Sequence, residues 1–289
     1  MIRLATGLFL SLTACAAARS PAASIANNSA AGPVFFVRTA EKLVLTTERN
    51  VDWFVVVPEL RAYDNRPGPQ PRLDAVRYRR WLISTHPSKT HEVTFGTPGT
   101  RYFCAGAVVP KEFRTAEPIH RRYPVVQVVV RSHDSYLGFL GELFATPFIM
   151  GPAPTQSGWH QTDQRVGSDC AAFATYGRRR LGKPVLYAGP RGIVQYLRPL
   201  HRKALAPPAL DGRYRDARGR AIRVGANGAR PGDLLHFGEQ VSVFEMDRGI
   251  RGELDAGDLI LQSWGATPHS IVIRNCGFFD RPVRLYRWR

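Results

Sequence analysis

Gly167-Ser168-Asp169-Cys170-Ala171-Ala172-Phe173 places a cysteine at the first turn of a predicted helix. Ser168 or Asp169 can cap that helix, its body runs through Ala171, Phe173, Tyr176 and Arg178 to Leu181, and Gly182 and Pro184 end it. A helix N-terminus carries roughly half a positive charge, which favours a thiolate there. A thiol at such an address can drop from about 8.5 to between about 3.5 and 7.5, the range of a working nucleophile. Taken alone, a cysteine on a helix is more often a small buried hydrophobe, so the neighbouring sequence has to decide between the two.

On the N-terminal side, Asp134-Ser135 is a good cap for a helix carrying Tyr136, Leu137, Leu140, Leu143 and Phe144, which Pro147 ends. Pro147-Phe148-Ile149-Met150-Gly151-Pro152 and a polar loop then lead to Cys170. On the C-terminal side, Gly192 to Leu197 reads as a second helix, followed by a loop rich in Gly and Arg. Arg230-Pro231-Gly232-Asp233-Leu234-Leu235-His236-Phe237 opens into a strand. Gln240 to Met246, Asp258 to Trp264, Ser270 to Asn275 and Pro282 to Trp288 supply four more.

This order resembles the NlpC-type papain-like cysteine peptidases. The resemblance rests on the Asp-Cys-small-small-Phe heptapeptide with its aromatic and basic continuation, on the Pro147 to Pro152 entry and on Pro231-Gly232-Asp233-Leu234. It covers residues 133–289, about half the chain, and implies an α+β domain in which a helix-borne Cys precedes an antiparallel sheet. It also implies a Cys nucleophile, a His base on a following strand and a third polar residue that orients the His, acting on amide bonds of cell-wall peptides. Cys170 takes the nucleophile position, its own amide N–H helping to hold an oxyanion. The position for the His, the first residue of the second strand, holds Gln240. Gln cannot titrate, although it can hydrogen-bond near an oxyanion. Phe148 stands where the family commonly has Tyr, which removes a hydroxyl expected to touch substrate.

His236 is the first alternative base. With Gly238-Glu239 as a two-residue hairpin loop, Phe237 opposes Gln240 and His236 opposes Val241, so that His236 and Gln240 take opposite faces. His269, in the turn Gly265 to His269, is the second alternative, and His160 could line the cleft or cap a loop. Gln262 suits the orienting position, or is an outward side chain alternating with Leu259 and Leu261.

At the other end of the chain, Arg3, the apolar run Leu4 to Leu12 and Leu12-Thr13-Ala14-Cys15 have the form of an export signal with a lipobox. Residues 1–15 are therefore expected to be a signal peptide cleaved before Cys15, whose thiol takes a lipid that anchors the chain to a membrane. The alternative is an ordinary signal cut near Ala16-Ala17-Ala18. Residues 16–32 read as a flexible tether. Residues 33–132 read as a β-rich N-terminal domain, with strands at Val34 to Val37, Leu43 to Leu45, Trp53 to Val57, His91 to Phe95, Tyr102 to Cys104 and Val125 to Val130, and a short helix over Leu73 to Leu82.

Export bears on the remaining cysteines, since thiols pair outside the cytoplasm: Cys104 and Cys276 either bridge or stay as buried free thiols. No Cys-x-x-Cys or His-x-x-x-His pair is present, so no metal or cofactor is expected. The net charge of +17, carried mostly by Arg, draws an exported protein to anionic polymers and membrane surfaces. Helix-turn-helix, finger and stacking motifs are lacking, which with export argues against nucleic acid. Two functions follow. One is a lipid-anchored cysteine hydrolase, a peptidase or amidase, of the cell envelope, on the outer membrane or facing the periplasm. The other is a catalytically lapsed lipoprotein of the same build that binds peptidoglycan or another anionic envelope polymer.

Overall fold

The structure, a computed structural model, describes residues 33–66 and 72–289 and the backbone of Ala26–Asn27 and Ala30–Ala31. The expected signal, the expected lipobox cysteine Cys15 and most of the expected tether lie outside the described residues. The chain is mixed α+β, and with 38% strand against 12% helix its frame is made of sheets.

The N-terminal half is built on a six-stranded sheet. Its order is Glu112–Thr115, Val76–Leu82, Trp53–Pro58, Gly99–Ala105, Val126–Arg131 and Val34–Arg38, antiparallel except for the last pair. Alternation gives this sheet two apolar faces. Phe35, Val37, Phe103, Val128 and Val130 lie on one, covered by Leu43 and Leu45 of the strand Lys42–Val51, which pairs with Ser88–Thr94. Val56, Val76, Tyr78, Tyr102 and Cys104 form the other. Burying a side chain of this size contributes about 1.5–3 kcal/mol, so each face is a full core.

The helix expected over Leu73 to Leu82 is instead the strand Val76–Leu82, with Val76 and Tyr78 buried and Arg79 exposed. That is a period of two in β-favouring residues, fixed by partners on both sides. The short strand Glu112–Thr115, which closes the sheet edge, has too little apolar pattern to announce itself.

Residues 147–168 bind the two halves of the chain together. The carbonyls of Phe148 and Met150 accept the amides of Tyr63 and Asn65. Asn65 Nδ2 donates to Gln161 Oε1 at 2.7 Å, and Tyr102 Oη donates to the carbonyl of Arg165. Ile149 and Val166 pack into the second face of the N-terminal sheet. The segment that leads to Cys170 is thereby held from behind by residues 63 to 96 positions earlier.

The C-terminal half carries its own antiparallel six-stranded sheet, ordered Leu197–Pro199, Arg284–Trp288, Leu234–His236, Val241–Met246, Leu259–Gln262 and His269–Val272. Two helices, Tyr136–Gly141 and Cys170–Arg180, cover one face, meeting Leu234, Val241, Val243, Leu261 and Tyr286. Gly177 allows the close approach: a Cβ there would lie 2.7 Å from the ring of Tyr136. The long excursion between Pro199 and Leu234 covers the other face with Leu205, Tyr214 and Ile222. The helix expected from Gly192 to Leu197 begins earlier, as Pro190–Ile193, tightens to a 3-10 turn over Val194–Tyr196 and yields to a strand at Leu197. Proline at its first position explains the earlier start.

Candidate functional site around Cys170

Asp169 is the cap, extended in backbone and accepting the amide of Ala172 at 2.8 Å, so that Cys170 occupies the first helical position. Leu181 ends the helix and Gly182 leaves it at φ +76°. Cys170 is 2% exposed, and its thiol faces the main chain of the hairpin turn, with Sγ 3.9 Å from the carbonyl oxygen of Glu239.

The hairpin has the expected form. The amide of Phe237 donates to the carbonyl of Gln240 at 2.8 Å, and His236 pairs with Val241. Gly238 has φ +92°, the positive value that a primed two-residue turn requires at its first central position. His236 therefore shares the face of Val241, which packs in the same cluster as Cys170. Gln240 falls on the face of Phe237, although its own peptide lies beside the sulfur.

Facing the Cys170 side does not make His236 a partner for the thiol. Its Nε2 is 2.8 Å from the carbonyl oxygen of Pro190, and its Nδ1 lies 3.1 Å from the amide of Gly238, which donates to it. That arrangement places the ring proton on Nε2, committed to Pro190. The ring lines a cavity of about 560 Å³ with Arg191, Arg284 and Tyr286, and Cys170 is not part of that lining. His269 turns its Nδ1 to the carbonyl of Thr267 at 2.7 Å. His160 stacks on Tyr187 at 3.7 Å, and burial pushes it down to about 4, which leaves it neutral at ordinary pH.

Gln240 and Gln262 are both buried, and the Oε1 of each is without a hydrogen-bond partner among the described residues. Gln240 Nε2 reaches Ser242 Oγ only at 3.5 Å, the long limit of a hydrogen bond. Gln262 stands opposite His269 in the sheet register. Phe148, at the position of the expected Tyr, is buried with its ring edge-on to Trp264 at 6.2 Å.

The electrostatics run against the expectation of a depressed thiol. Burial, and after it the adjoining Asp169 carboxylate, push Cys170 up to about 12. The amides of Val241, Ala171 and Cys170 oppose this and do not overcome it. The helix terminus does supply N–H groups, but its cap is an acid, and the thiol proton is directed at a carbonyl. Burial also pushes Cys104 up to about 11 and raises Cys276. Of the two alternatives for the remaining cysteines, the structure has free buried thiols. Among the described residues, no group of three His, Cys, Asp or Glu side chains is placed to hold a metal ion, and no helix is long and apolar enough to cross a membrane.

No protein-family model matches this sequence, and no curated protein matches it.

Proposed function

We propose that this chain is an exported, lipid-anchored protein of NlpC-type papain-like build whose cysteine site is catalytically silent, and that it acts in the cell envelope by binding peptidoglycan or another anionic polymer. The observation that carries the reading is the state of Cys170. The thiol is buried, pushed up to about 12 and directed at Glu239, while His236 has both ring nitrogens committed elsewhere. Amide cleavage by a thiol needs a thiolate and a proton donor for the leaving nitrogen. Gln240, next to the sulfur, supplies neither. The charge of +17 then provides the binding energy, which weakens as salt rises.

The test is a pull-down with isolated envelope polymer. Binding that falls steeply with salt and is unchanged by Cys170→Ala supports the reading. Release of peptide fragments by the parent chain, abolished by Cys170→Ala, overturns it. That second outcome belongs to the cysteine hydrolase, a reading favoured by one observation: Cys170 holds the first position of a capped helix, with a hairpin main chain against its sulfur.

A further inference from the structure

The excursion between Pro199 and Leu234 does more than cover the sheet. It encloses two adjoining hollows of about 700 and 420 Å³, which share His201, Asp216 and Arg220 as common walls. The charges lining them fall into two groups. One group is structural. Arg220 is paired with Asp216 at 2.8 Å, and Arg287 lies 2.6 Å from Asp233, an acid just behind the wall. Glu253, in the wall of the larger hollow, is neutralised by Arg213. These pairs fix the shape of the cleft and leave its acids without free charge.

The second group is Arg202, Lys203, Arg218 and Arg223, all exposed on the lining and without an ion-pair partner among the described residues. Arg223 stands beside a tight turn whose residues Ala226 and Asn227 also line the larger hollow, and the amides of both donate to no acceptor among the described residues. That turn is braced. Arg287 donates to the carbonyl of Gly228 at 2.9 Å as well as to Asp233, and Gly228 packs so closely that a Cβ would lie 1.9 Å from the carbonyl oxygen of Arg223.

Uncompensated guanidinium groups and free turn amides, on a scaffold already held by other arginines, suit phosphate oxygens. Arginine meets phosphate through paired N–H donors, and successive backbone N–H groups make an anion-binding concavity. The cations extend across both hollows, a length that favours a chain of anions over a single ion. We propose that this cleft binds the repeating phosphate groups of an anionic polymer. The inference rests on the polymer-binding reading above and assigns that reading a site.

The test uses labelled linear polyphosphate as the probe, with fluorescence anisotropy at several salt concentrations. Arg218→Gln with Arg223→Gln removes two cleft cations, and Arg49→Gln with Arg114→Gln removes two exposed ones from the N-terminal half. Unchanged circular dichroism and melting temperature confirm that both variants fold. The expected result is a loss of about tenfold or more in affinity for the cleft variant, with a shallower salt slope, and less than about twofold for the control. Equal losses in the two variants, or none in the cleft variant, overturn the site while polymer binding itself stands. Absence of polyphosphate binding by the parent chain overturns the phosphate cleft, and the pull-down with envelope polymer decides the polymer-binding reading separately. A parallel series with phosphatidylglycerol vesicles separates the sources of phosphate: loss of vesicle binding alone in the cleft variant assigns the cleft to lipid headgroups and overturns the polymer.

Discussion

The sulfur of Cys170 lies 3.9 Å from the carbonyl oxygen of Glu239, so the thiol proton has an acceptor in the main chain and a thiolate would face a lone pair. With the thiol pushed up to about 12, the reactive fraction at pH 8 is about 10⁻⁴, against roughly a quarter for a free cysteine. Iodoacetamide at pH 8 is therefore expected to label Cys170 as slowly as Cys104 and Cys276 in the folded chain, and all three rapidly in urea. Fast, selective labelling of Cys170 at pH 6, followed by mass spectrometry, would identify an activated nucleophile instead.

The same groups set an alkaline limit to stability. A thiol whose folded value is raised holds its proton in the folded state while the unfolded chain releases it. Nothing is lost below about pH 8.5, and stability then falls by about 1.4 kcal/mol per pH unit and per thiol until the folded value is reached. That window runs to about 12 for Cys170 and about 11 for Cys104. Urea midpoints at pH 8, 9 and 10 should decline less for Cys170→Ala than for the parent. Parallel declines would show that Cys170 ionises alike in both states.

Substitutions at Cys170 separate packing from chemistry. Cys170→Ala removes one buried atom from a cluster that includes Leu143, Phe173 and Val241, at a cost of about 1–2 kcal/mol. Cys170→Ser should cost about 1–3 kcal/mol more, because the shorter C–O bond draws the hydroxyl away from the Glu239 carbonyl and leaves its proton buried without an acceptor. Chemical denaturation of the two variants checks the order. A Ser variant as stable as the Ala variant would mean that the pocket is wet.

The helix of Cys170 and the hairpin after it could be read from the sequence because their determinants are local. The cap, the small residues and Gly182 lie within fifteen positions, and Gly238-Glu239 determines which side chains share a face. The protonation of the site had no such local signal. The acceptor that takes His236 Nε2 is Pro190, 46 positions earlier, and the thiol is desolvated by strands that arrive 70 to 90 positions later. The cationic cleft was hidden for a related reason. Leu205, Tyr214 and Ile222 have no helical or strand periodicity, so their stretch reads as a loop until the sheet gives it a face to cover.

Gln240 is a buried amide whose Oε1 has no hydrogen-bond partner among the described residues. Replacing an unsatisfied polar group by an apolar one of similar shape is neutral or stabilising, so Gln240→Met should change stability by between zero and about 1 kcal/mol in the favourable direction. Thermal melts decide it. A loss of more than about 2 kcal/mol would reveal a partner for the amide, such as a bound water, and would restore interest in Gln240 as an oxyanion donor.

Glu142 is the acid on which the junction of the two halves depends. It is fully buried, accepts hydrogen bonds from Arg180 Nε and Nη2 at 2.9 and 3.0 Å, meets Arg131 at 3.3 Å, and accepts a hydrogen bond from the hydroxyl of Tyr176 on the Cys170 helix. Arg131 belongs to the N-terminal sheet, and Arg165 links Tyr176 to Gln127 of the same strand. Removing the carboxylate leaves Arg180 without its ion-pair partner and Arg131 with only the half-exposed Asp134 at 2.6 Å, so Glu142→Gln should cost about 3–5 kcal/mol. Tyr176→Phe removes two hydrogen bonds to charged groups, the one donated to Glu142 and the one accepted from Arg165, and should cost up to about 1.5–3 kcal/mol for each. In the double variant the two losses should fall short of their sum, because both act on one network. Strict additivity in urea denaturation would mean that Tyr176 and Glu142 are energetically independent, and that the halves are held together by the apolar contacts of Ile149 and Val166 instead.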